Sequence, residues 1–173
     1  MSALRKQAFE LTRKGKFDLA EGAWTKLINQ LPDEPAVWSN RGNVRVSQNK
    51  VEAAIQDYDQ AIGLAPLQPD PYLNRGAAYE AMGKWQDAID DYNRVLSLSP
   101  NDPAAYNNRG NAKGGQGDWQ AALEDYEQSI TIQPSFSLGY ANYGIALFEV
   151  GDQTKSLHIL KSLDRKYPNY ADV

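Results

Sequence analysis

The chain has 173 residues, no cysteine, a net charge of −4 and 42% hydrophobic residues. The length and the hydrophobic content suffice for a substantial core. The absence of cysteine excludes disulfides, thiolate catalysis and cysteine-ligated metal sites. The acidic balance argues against a nucleic-acid binder, which needs a basic surface. No run of about 18 apolar residues is present, so we expect a soluble chain without a bilayer-spanning segment.

A three-residue motif organises the sequence. Asn-Arg-Gly occurs three times and Asn-Tyr-Gly once, at a constant interval of 34 residues, and the asparagines are Asn40, Asn74, Asn108 and Asn142. A fixed period of this size indicates a repeat array. With the motif asparagine at position 6 of each repeat, residues 1–173 form a single array with the repeats 1–34, 35–68, 69–102, 103–136 and 137–170.

Each repeat predicts two helices, at about positions 2–14 and 17–30. The first should end at position 15, where the residues suit a left-handed backbone: Gly15, Asn49, Gly83, Gly117 and Gly151. The second should end before the proline at position 32: Pro32, Pro66, Pro100, Pro134 and Pro168. Small residues at positions 8 and 20 predict a close helix contact, with the aromatic residues of positions 4 and 24 around it.

This combination of an aromatic residue at 4, Gly or Ala at 8, Ala at 20, an aromatic residue at 24 and Pro at 32 resembles the tetratricopeptide repeat over residues 1–170. The resemblance implies an all-α fold, a right-handed α-solenoid superhelix of five 34-residue helix-turn-helix repeats. It also implies a concave groove lined by the first helices. The Asn-Arg-Gly variant resembles repeats of cyanobacterial and plastid proteins, several of which are assembly factors of photosynthetic membrane complexes. That likeness favours a plastid location, in the stroma or at the thylakoid surface, over the cytoplasm.

Arginine at position 7 is unusual, because the family commonly has leucine there. Position 23 is aspartate in the three repeats that carry the arginine, and it is Ala23 and Ile159 in the two that lack it. Arginine suits a two-point contact with a carboxylate. We therefore expect the structural pairs Arg41–Asp57, Arg75–Asp91 and Arg109–Asp125. The alternative is that these arginines bind an anionic partner.

Asparagine at position 6 is the main candidate for function. In this family the position faces the concave groove, and a carboxamide offers both a donor and an acceptor to the main chain of an extended peptide. The alternative is that these asparagines bond a neighbouring repeat or simply suit a helix near solvent. With further groove positions, the predicted peptide-binding residues are Asn40, Asn43, Asn74, Glu80, Asn107, Asn108, Asn111 and Asn142.

One well-known function of the family is predicted to be absent. Repeats that bind the acidic C-terminal tails of heat-shock chaperones combine groove amides with groove cations. Here the corresponding residues are Ser39, Asn43, Asn74, Ala104 and Asn108, so the amides match and the cations are missing. We expect no binding of an acidic heat-shock chaperone tail.

The sequence offers no catalytic chemistry that can be named. His158 is the only histidine, and the cluster Gly114–Gly117 lacks the Lys-Ser/Thr of a phosphate loop and is expected to loosen the end of its helix. We predict no catalytic residue, no metal and no cofactor, and hence not an enzyme. The predicted function is a protein-binding scaffold or chaperone-like assembly factor with a protein or peptide partner, no nucleic acid and no membrane insertion.

Two alternatives concern the end of the chain. Leu157, Leu160 and Leu163 recur at helical spacing, and only residues 171–173 follow the last repeat, where such arrays usually add a covering helix. We expect the chain to be either a fragment of a longer protein, in which it recruits a partner, or a self-associating structural adaptor that forms a homo-oligomer through residues 137–173.

Overall fold

The computed structural model describes residues 2–166 of the chain, and side chains for residues 2–163. Over this range it contains ten α-helices and no strand. The first helices of the repeats are α1 Ala3–Arg13, α3 Pro35–Ser47, α5 Pro69–Ala81, α7 Pro103–Gly115 and α9 Ser137–Glu149. The second helices are α2 Phe17–Gln30, α4 Val51–Leu64, α6 Trp85–Leu98, α8 Trp119–Ile132 and α10 Gln153–Lys166. Pro168 and the rest of residues 167–173 lie outside the described residues.

The helix pairs confirm the predicted helix-turn-helix repeat. Position 15 has a positive φ in every repeat, at Gly15 (68°), Asn49 (60°), Gly83 (68°), Gly117 (85°) and Gly151 (91°). The next residue then donates its N–H to the carbonyl five residues earlier, as Lys50 does to Arg45 at 2.8 Å. This bond closes the helix end in the manner of a Schellman motif. Asparagine serves at position 49 because its short polar side chain tolerates the left-handed region.

The helix starts have equally local causes. Proline is the first residue of α3, α5 and α7, where the missing N–H needs no partner. Before α7, the carboxylate of Asp102 accepts the N–H groups of Ala104 at 2.9 Å and Ala105 at 3.0 Å. Side-chain caps of this kind satisfy donors that a helix leaves free.

The described helices divide between two compact units, which we call unit 1 (Met1–Lys84, with α1–α5) and unit 2 (Trp85–Val173, with α6–α10). The division falls between the two helices of the third repeat. The single array of residues 1–173 stays a prediction. The largest buried side chains of unit 1 include Trp24, Tyr58 and Leu27, and those of unit 2 include Tyr92 and Leu147.

Glycine at position 8 has a definite packing partner. A Cβ at Gly42 would lie 2.6 Å from Cε1 of Tyr58, and one at Gly110 would lie 2.6 Å from the same atom of Tyr126. In the last repeat the partner of Gly144 is Leu160, whose Cδ2 would be 2.7 Å away. In these three repeats position 8 is glycine because the position-24 side chain lies directly against the first helix.

The glycine cluster of the fourth repeat has a packing role as well. Helix α7 continues through Gly115, the same repeat position at which α3, α5 and α9 end. Added Cβ atoms at Gly114 and Gly115 would each come within 2.8 Å of an indole ring, of Trp119 and Trp85 respectively. These glycines make room for tryptophan within unit 2, a reason that the sequence prediction of a loosened helix end did not include.

Candidate peptide-binding face

The arginine of position 7 is held within the fold of each unit. In unit 1, Nε and Nη2 of Arg41 donate to the two carboxylate oxygens of Asp57 at 3.0 and 2.7 Å. Arg45 adds a second cation 2.9 Å from the same carboxylate, which is 1% exposed. Two cations and two hydrogen bonds provide the pairing that a buried charge requires.

Unit 2 repeats this arrangement. Arg109 donates to both oxygens of Asp125 at 2.8 and 2.6 Å, and Nζ of Lys113 lies 2.8 Å from the same carboxylate. The hydrogen bond to Asp125 raises the pKa of Arg109, against the opposing effect of burial. The remaining expected pair, Arg75 with Asp91, has its members in different units and stays a prediction.

The position-7 side chain also reaches the preceding repeat, which sequence reasoning missed. There it contacts the residue at position 25. Nη1 of Arg41 donates to Oγ1 of Thr25 at 3.2 Å, and Nη1 of Arg109 donates to Oδ1 of Asn93 at 2.7 Å. The four pairs are Arg41 with Thr25, Arg75 with Asp59, Arg109 with Asn93 and Tyr143 with Glu127. The available signal was that each of these position-25 residues carries a side-chain oxygen acceptor.

Aromatic rings complete the surroundings of these arginines. The guanidinium of Arg41 lies 5.1 Å from the ring centre of Trp38, and that of Arg109 lies 5.4 Å from that of Tyr106. Such stacking adds to the hydrogen bonds. Such a guanidinium contacts a carboxylate, the position-25 acceptor and an aromatic ring within its own unit. Few of its N–H groups therefore remain for an anionic partner.

The groove amides of unit 2 bond one another. Asn142 donates from Nδ2 to Oδ1 of Asn107 at 2.9 Å and to Oδ1 of Asn111 at 3.1 Å. The hydroxyl of Tyr126 also donates to Oδ1 of Asn111, at 2.9 Å. Asn107 further approaches Asn108, whose Oδ1 lies 3.4 Å from its Nδ2. Unit 2 thus brings together four of the predicted groove residues.

The burial of Asn107 contradicts its predicted role in peptide binding. Its residue surface is 1% exposed, so its side chain cannot contact a peptide bound on this face. Its Oδ1 accepts a hydrogen bond from Nδ2 of Asn142 in the next repeat. The prediction that Asn107 is a peptide-binding residue is therefore wrong, and the residue has a structural role.

The groove amides of unit 1 have different partners. Asn43 is exposed, and its Oδ1 accepts the hydroxyl of Tyr58 at 2.8 Å. Asn40 donates to the carbonyl of Ala36, four residues earlier on α3, at 2.6 Å. Asn74 is half-buried and lines a cleft of about 170 Å³. That cleft is formed by Asn43, Val46, Tyr58, Asn74, Ala77 and Ala78.

A second, apolar cleft of about 160 Å³ lies one repeat earlier in unit 1. The rings of Phe9 and Trp24 form its wall, packed edge to face with their centres 4.9 Å apart. Asn40 lies at this cleft as Asn74 lies at the other. These two clefts of unit 1 therefore each lie beside a position-6 amide.

Burial also raises the pKa of Tyr58, the tyrosine that lines the cleft beside Asn74, and the nearby charge of Asp57 adds to the effect. The raised pKa extends the pH range over which the phenol keeps its proton and donates to Asn43. Glu80, the one predicted groove residue with a charge, is half-buried near the end of α5.

In the last repeat, the first helix exposes large apolar side chains. Ile145 is 48% exposed and Phe148 is 56% exposed, both on α9. On α10, Leu157 and Leu160 are exposed as expected, whereas Leu163 is buried, which corrects the predicted apolar strip. Within residues 2–166, no helix combines the length and the apolar character needed to cross a membrane.

Family models identify the repeat. A tetratricopeptide-repeat model matches residues 69–102 and 103–136, and a second model described as TPR repeat matches residues 42–83. Together they cover more than half of the chain, and their boundaries in the third and fourth repeats coincide with the frame set by the asparagines. The chain belongs to the tetratricopeptide-repeat family.

Solved structures agree with this fold. MamA 41-end from Desulfovibrio magneticus RS-1 has a TM-score of 0.88 at 15% identity, over 96% of this chain and 94% of that one. YrrB, described as a TPR protein with an unusual peptide-binding site, has a TM-score of 0.76 at 18% identity, over 95% and 84%. The first TPR of Spaghetti (RPAP3) bound to HSP90 peptide SRMEEVD has a TM-score of 0.66 at 25% identity, over 68% and 93%. No curated protein sequence matches significantly.

Proposed function

We propose that this chain is a non-catalytic scaffold that binds an extended segment of a protein partner on the face formed by the first helices of unit 1. The tetratricopeptide-repeat fold is typically a protein-interaction scaffold. The observation that carries the proposal is the pair of clefts beside Asn40 and Asn74. Each cleft combines apolar walls with a carboxamide, the combination that fits a side chain and a peptide group together.

The composition of this face indicates the partner's chemistry. The cleft beside Asn74 is lined by uncharged residues only, and Arg5 beside the other cleft is paired with Glu34. A partner segment with several carboxylates finds no free cation among these lining residues. We therefore expect a largely neutral segment, and no tight complex with an acidic heat-shock chaperone tail in calorimetry.

Affinity purification tests the proposal. The wild-type chain should capture a partner from extract, and the double variant Asn40→Ala, Asn74→Ala should lose it. Asn29→Ala is the matched control, because Asn29 is an exposed amide on the second helix α2, outside the proposed binding face. Equal capture by all three chains would refute the proposal.

Photosynthetic membrane complexes are the first partner class to test. The proposal rests on the likeness of the Asn-Arg-Gly variant to cyanobacterial and plastid repeats, and it includes an assembly-factor role in the plastid. Capture from a thylakoid extract should recover subunits of such a complex. Recovery only from a cytosolic extract would argue against this assignment.

Self-association through the last repeat is a second candidate function, favoured by the exposed Ile145 and Phe148. Exposed apolar patches mark interaction surfaces. If this face joins two copies, sedimentation should give a dimer or larger species for the wild-type chain. The variant Ile145→Ser, Phe148→Ser should then be monomeric, whereas a monomeric wild type at high concentration contradicts this candidate.

A further inference from the structure

We propose that repeat position 5 decides whether the position-6 amide of the next repeat is open to a ligand. Two of these amides can be compared. The carboxamide of Asn142 is already hydrogen-bonded to neighbouring side chains, whereas the carboxamide of Asn74 is available to a neutral peptide main-chain group. This inference rests on the proposed function, since it names the amide that binds and the chemistry that it recognises.

The closed arrangement is in unit 2. Nδ2 of Asn142 donates to Asn107 at 2.9 Å and to Asn111 at 3.1 Å, which occupies both of its hydrogens. Oδ1 of Asn111 accepts from Asn142 and from the hydroxyl of Tyr126, which occupies both of its lone pairs. A ligand that approaches Asn142 must therefore break hydrogen bonds already made in the fold.

The corresponding residues of unit 1 differ from these at one repeat position. Asn43, Tyr58 and Asn74 stand at the repeat positions of Asn111, Tyr126 and Asn142, and the hydroxyl of Tyr58 donates to Asn43 at 2.8 Å. Position 5 is Ser39 in place of the buried Asn107. A hydroxymethyl group is shorter than a carboxamide, so it cannot supply the acceptor that Asn107 offers to Asn142.

The consequence is an incompletely bonded cluster. Oγ of Ser39 is buried and has no hydrogen-bond partner among the described residues. Within the same described range, the side chain of Asn74 makes no hydrogen bond, and one lone pair of Asn43 Oδ1 remains beside the bond from Tyr58. With Ser39 at position 5, Asn74 lacks the partner that Asn107 gives to Asn142, so the Asn74 carboxamide can bond a ligand without first breaking a hydrogen bond of the fold.

The cleft limits the chemistry of that ligand. Val46 and Ala77 supply apolar walls, and the lining of Asn43, Tyr58, Asn74 and Ala78 adds no charge. A charged group would lose hydration without gaining a counter-ion. A peptide group fits, because its carbonyl accepts from Nδ2 of Asn74 and its N–H donates to Oδ1. A small aliphatic side chain next to that group would contact Val46 and Ala77.

Side-chain amide resonances test the assignment in the full chain. The probe is N-acetyl-valine N-methylamide, a neutral molecule with two peptide groups and one aliphatic side chain. Titration followed by proton–nitrogen correlation spectra should shift the Asn74 carboxamide saturably and leave that of Asn142 unmoved. Ser39→Asn should abolish the Asn74 shift, and Asn107→Ser should make Asn142 respond.

The wild-type chain also gives a test that needs no variant. The carboxamide hydrogens of Asn142 should exchange with solvent more slowly than those of Asn74. Equal exchange, an unmoved Asn74, or an Asn142 that shifts as Asn74 does would each overturn the inference. Partner capture that depends on Asn74 while the probe leaves it unmoved refutes this inference and leaves the proposed function standing. Capture that ignores Asn40 and Asn74 refutes the proposed function.

Discussion

A single glycine shows how packing decides the outcome of a substitution at the residue scale. Gly110→Ala adds a methyl group whose carbon would lie 2.6 Å from Tyr126, a ring that is 3% exposed and hydrogen-bonded to Asn111. Alanine gains about 1 kcal/mol of helix propensity, but overpacking a tight contact costs about 1–3 kcal/mol. We expect net destabilisation, measured as a lower midpoint of urea unfolding.

Gly22→Ala is the control for this prediction. Gly22 lies inside α2, and no atom comes within 4 Å of a Cβ built there. The same substitution should then raise stability by up to about 1 kcal/mol. If both variants shift the midpoint in the same direction, the close contact is not what requires glycine at position 8.

The buried carboxylate of Asp57 gives a second residue-scale prediction. Asp57→Ala leaves Arg41 and Arg45 without their shared anion, and their side chains are only 11% and 18% exposed. Removing one partner of a buried pair costs about 3–5 kcal/mol. Thermal unfolding should show a large loss for this variant.

Asp59→Ala is the comparison, two residues further along the same helix. Its carboxylate pairs with Arg75 but is 46% exposed, so solvent screens the interaction and the expected loss is below about 1 kcal/mol. Similar losses for the two variants would show that burial does not set the strength of these pairs.

At the scale of the element, the sequence predicted the helices well because their signals are local. Residues with a left-handed backbone at position 15 and prolines at position 32 determine the helix ends, and neither signal depends on distant residues. The side-chain partners were harder to predict. The contact of Arg109 with Asn93 joins two repeats, and a period alone does not say which side chains meet across that contact.

The helix ends themselves can be tested. Gly83→Ala places a Cβ at a φ of 68°, which costs about 1–2 kcal/mol for a non-glycine residue. The midpoint of urea unfolding should fall accordingly. Asn49→Gly is the matched change in the opposite direction, since glycine reaches the φ of 60° at this position without steric cost. It should leave the midpoint unchanged or raise it, and a drop equal to that of Gly83→Ala would contradict this explanation.

At the scale of the whole molecule, the repeat identifies a binding fold and leaves the partner open. Four equivalent asparagines predict one uniform ladder, yet Asn142 donates to Asn107 and Asn111 of the preceding repeat, whereas Asn40 donates to a carbonyl of its own helix. The sequence could not separate these roles, because the state of one amide depends on a residue of the preceding repeat. Local chemistry defines the helices, whereas contacts between repeats define the site.

The most direct test of the central claim is the affinity of the captured partner segment for three versions of the full chain. Titration calorimetry should give equal dissociation constants for the wild type and Asn29→Ala. Asn74→Ala should weaken binding about tenfold, because about 1.4 kcal/mol corresponds to the hydrogen bonds lost. Unchanged circular dichroism would confirm that the fold is intact. An Asn74→Ala chain that binds as tightly as the wild type would contradict the account.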